Sequence, residues 1–154
     1  MCRFCWFLSI VLAVATAGLA WKFILSGETV AASDGRTAIV LEAGERDLVL
    51  TEMRAFLEAA QKILDASVRG DVTAVAEAAR AVGRAAAGPV PGSLVGKLPL
   101  GFKQLGFATH DGFDRLAMDV EALGDTAEVP ERLAQLMNNC VGCHAAFRLE
   151  VGER

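Results

Sequence analysis

Near its C-terminus the chain reads Cys140-Val141-Gly142-Cys143-His144, two thiols three positions apart with an imidazole directly after the second. On a helix, cysteines at that spacing project from one side about a turn apart, and the next residue presents its ring between them. Each sulfur can add to one vinyl group of a haem while the imidazole binds the iron. One short stretch then holds the porphyrin at three points. A thioredoxin-like redox pair shares the C-x-x-C core but expects a βαβ context, which the surrounding sequence does not offer. The expectation is therefore one covalent haem c, with Cys140 and Cys143 as attachment points and His144 as an axial ligand to its iron.

Ten residues follow His144, so any sixth ligand is expected from upstream. The other imidazole is His110, and the thioethers beyond Met1 are Met53, Met118 and Met137. Ranking them requires the elements that carry them. Val49, Met53, Phe56, Ala60, Ile63 and Ser67 alternate spacings of four and three, which predicts an amphipathic helix over 45–68. Gly70-Asp71 breaks the chain and caps a second helix, with Val72, Val75, Ala79, Val82 and Ala86 on one face, ending at Gly88-Pro89. The breaker-rich stretch from Gly88 to Gly101 reads as the longest connection. A third helix follows from Phe102 to Leu123, its period intact despite Gly106 and Gly112, and Gly124-Asp125 stops it. Pro130 opens a fourth, with Leu133, Leu136, Cys140, His144, Phe147 and Val151 on one face. No segment shows convincing strand alternation.

Four apolar stripes bury best against one another, so the fold expected is all-α: an antiparallel four-helix bundle over 45–154. If the helices alternate up and down, His144 lies roughly 9 Å from one bundle end, and helices one and three start at that end. Met53 is then about 12 Å deep and His110 roughly 12–15 Å, both level with the haem. Met118 lies deeper, and Met137 shares its helix with His144; both are expected to pack in the core. Met53 or, less favoured, His110 is the expected sixth ligand, with an open or water-bound iron as the third case.

A final helix ending Cys140-Val141-Gly142-Cys143-His144-Ala145-Ala146-Phe147-Arg148 resembles the cytochrome c-prime family and its low-spin relatives, whose closing motif carries an aromatic-Arg pair at this offset. The resemblance implies a bundle with haem at one end and a periplasmic location. By match to the motif it carries over Cys140, Cys143 and His144 as haem residues. Arg148 carries over as the basic residue one turn beyond the ligand, near the imidazole or a propionate. Low-spin relatives take a Met from the first helix; high-spin members leave that position uncoordinated.

From Phe4 to Trp21 eighteen residues run without a charge, between Arg3 and Lys22. Residues 1–25 read as a membrane-targeting segment, and residues 26–44 as a linker with one extended patch, Ala38-Ile39-Val40-Leu41. Ala15-Thr16-Ala17 and Val30-Ala31-Ala32 are candidate cleavage sites for a signal peptide. The span-length run, bracketed by Trp6 and Trp21, favours an uncleaved anchor, with a soluble periplasmic form as the alternative. Either way the domain is exported, to the outer face of the bacterial cytoplasmic membrane. Cys2 and Cys5 form a second C-x-x-C pair, which formally suggests a four-thiolate zinc site. The pairs would lie on opposite sides of the bilayer, so Cys2 and Cys5 read as incidental.

Net charge is −4 with signs interspersed, which argues against nucleic acid as a partner. No acid/base pair or nucleophile constellation points to an enzyme. The function expected is one-electron transfer with redox partner proteins, because a six-coordinate haem exchanges electrons with little rearrangement. The alternative is a five-coordinate haem that binds or senses a diatomic gas such as NO or CO. Further partners expected are the membrane, through residues 4–25, and a second copy in a homodimer.

Overall fold

The computed structural model describes residues 3–88 and 90–152. Helix α1 (Arg3–Ala20) continues into a π-helical segment, Trp21–Ser26. Within them an 18-residue stretch has a mean hydropathy of 2.0 and lies unburied near the N-terminus. They are long and apolar enough to cross a membrane, as a signal sequence or an anchor would be.

Residues 26–44 are not a linker. Strands β1 (Thr29–Ala31) and β2 (Thr37–Leu41) pair antiparallel, with Thr29 opposite Ile39 and Ala31 opposite Thr37. The extended patch expected at 38–41 is the core of β2, where Ala38, Ile39 and Leu41 are buried. Strand β3 (Phe147–Val151) lies on its other side, parallel, with Thr37 opposite Phe147 and Leu41 opposite Val151. The fourth helix therefore stops at Ala146 instead of reaching Val151. Phe147-Arg148-Leu149-Glu150-Val151 alternates apolar and charged residues, which suits a strand, while Phe147 and Val151 four apart suit a helix equally. The exposed edge of β2 decides, because it offers backbone partners the helix would leave unmatched. The chain is mostly helical with a three-stranded sheet, ordered β1-β2-β3, rather than all-α.

Helix α2 (Ala43–Val68) begins two residues before the expected start at 45, because Glu42 and Glu45 form a reciprocal capping box. Helix α3 (Val72–Arg80) is capped as expected, the Asp71 carboxylate accepting the Ala74 N–H at 3.0 Å. It ends short of Ala86. Gly83 lies so close to Asp114 that a Cβ would strike its carboxylate, which accepts the Arg84 N–H at 2.8 Å. The breaker-rich connection contains a short helix, α4 (Gly92–Lys97), because Leu94 and Leu98, one turn apart, both bury. Helix α5 (Leu100–Leu123) tolerates Gly112 for a packing reason: the Leu136 side chain fills the place of its missing Cβ, so that α6 (Val129–Ala146) can approach. Pro130 sits in the first turn of α6.

Helix α2 packs against α3 and α6, and α5 packs against α3 and α6. Between them Ile63, Val75, Phe113, Leu116, Val120 and Leu133 form the main core. A second core lies where α2 and α5 begin and α6 ends. It is built from Ile39 and Leu41 of the sheet with Val49, Leu94, Leu98 and Phe102.

Candidate functional site

The stripe on α6 starts inside the main core at Leu133 and Leu136 and then climbs out of it. One turn on, Cys140 and Cys143 are half-buried and His144 is exposed. Cys143 packs against the second core, and so do Met53 from α2 and Phe147 from β3. The Phe147 ring meets Phe102 edge-on with centroids 5.7 Å apart. The structure thus brings Met53 and Cys143 onto one apolar patch.

Both cysteines are thiols, and burial pushes each above the ordinary thiol range, with Cys140 adding to the effect at Cys143. They are protonated near neutral pH. Between them Gly142 faces open space, with nothing within 4 Å of where a Cβ would stand. No hydrogen bond or ion pair from the described residues engages the His144 imidazole.

The backbone of His144 is held although its ring is not. Arg36 Nη1 donates to the His144 carbonyl at 3.2 Å and to the Phe147 carbonyl at 3.4 Å. The former belongs to the last turn of α6, whose carbonyls have no intrahelical amide to accept from. Arg36 is in turn gripped by Asp34 through bonds of 2.9 and 2.7 Å. That hydrogen bonding, with the charges of Arg36 and Arg148, draws the Asp34 carboxyl down to about 2. Asp34 and Arg36 escape a sequence reading because 108 residues separate Arg36 from His144. Asp34-Gly35-Arg36 reads only as a turn.

Arg148 stands on β3, not one helical turn beyond His144. Its guanidinium lies 3.3 Å from Asp34 and 3.2 Å from Glu150. The helix ends two residues earlier, at Ala146.

His110 is buried and fully engaged. Its Nδ1 donates to the Val82 carbonyl at 2.8 Å, its Nε2 lies 3.2 Å from the Glu52 carboxylate, and its ring meets Phe56 edge-on. The Glu52 hydrogen bond raises its pKa against the opposing effect of burial, with further help from Val82. A ring with both nitrogens facing acceptors would have to give up one of these contacts to reach iron. Met118 and Met137, expected in the core, are instead 55% and 43% exposed. Each lies beside a stripe rather than on it.

The stability that His110 lends is complete below its unfolded pKa of about 6.5 and is lost as pH rises through the higher folded value. Glu52→Gln is expected to lower the folded value, read from ring-proton NMR shifts, and to flatten the fall of the urea midpoint across that interval. His110→Ala, which strands the Val82 carbonyl, is expected to cost about 2 kcal/mol in urea unfolding.

Among the described residues no three His, Cys, Asp or Glu side chains converge as a free-ion site. Cys5 is exposed on α1, and Cys2 lies outside the described residues. The donor set suits a covalent haem better than a bare metal. Two protonated thiols stand three positions apart, an imidazole that no described residue engages follows directly, and a thioether and two aromatic rings occupy the adjoining core. No family model, characterised protein or solved structure matches the chain.

Proposed function

We propose that this protein is a c-type cytochrome that carries single electrons on the outer, periplasmic side of the cytoplasmic membrane, and is not an enzyme. One observation carries the reading: on the last turns of α6, Cys140 and Cys143 stand as half-buried thiols, Cys143 against the patch that holds Met53, beside an exposed His144 whose ring no described residue engages. Haem c, bound there, supplies a one-electron iron couple. Cys140 and Cys143 would hold it covalently and His144 would ligate its iron. Met53 is the sixth ligand in this proposal, since both nitrogens of His110 are already spent on Val82 and Glu52.

In the same reading α2, α3, α5 and α6 form an antiparallel four-helix bundle, with the sheet closing the haem end. The cytochrome c-prime resemblance supports that arrangement, because its closing motif sits on the last of four helices. Arg36, held by Asp34, fixes the end of α6 and so the direction in which His144 presents its ring. Arg148 reinforces Asp34, leaving the propionates to solvent. The N-terminal helix is the anchor.

The test is the optical and EPR spectrum of the purified full chain, with and without CO. A low-spin spectrum that CO leaves unchanged is the expected result. A high-spin ferrous form that binds CO at once would identify a gas-binding protein instead, and absence of a haem spectrum would end both readings.

A further inference from the structure

The segment joining the apolar helix to the domain is built as a fitted part. Lys22 Nζ donates to the Gly27 carbonyl at 2.9 Å, and the Gly27 N–H returns to the Lys22 carbonyl at 3.0 Å. Gly27, at φ 63°, lies so close to the Lys97–Pro99 backbone that a Cβ would strike the Lys97 carbonyl. The Glu28 N–H donates to that same carbonyl at 2.8 Å, and the Glu28 carbonyl accepts the Val40 N–H at 2.8 Å. Lys103, from the first turn of α5, donates to the Phe23 carbonyl at 3.0 Å, and the Phe23 ring covers Gly96. Strand β1 follows without a break in the contacts.

This arrangement bears on both candidate cleavage sites. A cut after Ala32 would remove β1 and every bond of Glu28. A cut after Ala17 would leave Trp21, Phe23 and Ile24 exposed to water, at 64%, 53% and 55% exposure. A removable signal has no reason to be built into the mature fold. The docking point is also specific: α4 and the start of α5 give Leu94, Leu98 and Phe102 to the core against which Met53 and Cys143 pack. The apolar helix itself buries no residue, so it leaves the domain at this end instead of folding back along it.

We propose that Trp21–Ala31 is a retained rigid collar that sets the domain on the bilayer in one orientation, with α4 and the Cys140–His144 end facing the lipid headgroups. The use of that orientation rests on the haem reading: electrons would pass to a redox partner confined to the membrane, without a search through the periplasm. The orientation itself does not depend on haem.

The experiment uses the haem-loaded full chain in phosphatidylcholine–phosphatidylglycerol vesicles. Val95, exposed on α4, or Leu123, exposed at the far end of α5, is replaced by p-acetylphenylalanine and labelled with a hydroxylamine nitroxide, leaving all cysteines native. Leu123 lies about 30 Å along α5 from Lys103 at 1.5 Å per residue. Relaxation by nickel chelated to lipid headgroups, measured against nickel-free vesicles, is expected to be several-fold stronger at 95 than at 123. Lys103→Ala, alone or with Gly27→Ala, is expected to shrink that difference. Equal relaxation at the two sites, a difference unchanged in both variants, or an N-terminus beginning after Ala17 or Ala32 would each overturn the collar. A low-spin haem spectrum alongside equal relaxation would sink the orientation and leave the cytochrome standing; the reverse pair of results would do the opposite.

Discussion

Cys140→Ser combined with Cys143→Ser is expected to abolish covalent haem: after acid–acetone extraction the wild-type chain keeps its haem mass and colour, and the double variant loses both. The expectation follows from chemistry rather than affinity. A serine hydroxyl does not add to a vinyl group under conditions where a thiol does, while its size leaves α6 and the second core intact. Each single variant should keep one thioether and one unreacted vinyl, which moves the α-band of its pyridine haemochrome to longer wavelength. His144→Ala is a separate case, since both thioethers can still form and the axial ligand on that face is lost. Wild-type haem that leaves in acid–acetone would sink the covalent assignment, whatever the variants do.

What makes that prediction possible was legible from five residues, and much of what positions them was not. Helix starts are legible: Glu42 capping α2 and Pro99 opening α5 lie close to where the period places those ends, and Met53 packs on the same patch as Cys143. Periodicity fails where two periods fit the same residues. Phe147-Arg148-Leu149-Glu150-Val151 alternates like a strand and repeats like a helix, and only the long-range pairing with β2 distinguishes them. The same pairing explains why Asp34, Arg36 and Arg148 form one cluster at the end of α6, a juxtaposition that no local pattern announces. Helix α4 is hidden for a different reason. Gly92, Gly96 and the flanking prolines lower its propensity, and burial of Leu94 and Leu98 overrides them. His110 sits at the edge of its stripe in sequence and is 5% exposed, because the turn after α3 folds over it to deliver the Val82 carbonyl.

Met53→Ala is expected to convert the low-spin spectrum to high-spin and to open the ferrous iron to CO. Three observations set Met53 apart from the other candidates. It packs on the same patch as Cys143, whereas Met118 and Met137 point to solvent and His110 has no free nitrogen. If the thioether occupies the iron in about 99% of wild-type molecules, removing this internal competitor raises the apparent CO affinity about 100-fold. The reduction potential should fall as well, because an axial Met raises it. Truncating a half-buried Met on a core edge also costs packing, about 2 kcal/mol in urea unfolding, so spectrum and stability must be read together. The controls separate the two effects. Met118→Ala and Met137→Ala should change neither, whereas His110→Ala should lower stability by a similar amount and leave the low-spin spectrum as it was. A low-spin spectrum that survives Met53→Ala and disappears in His110→Ala would reverse the ligand assignment. It would require the imidazole to exchange its Glu52 contact for iron, which in turn would lower the folded pKa that Glu52 now raises.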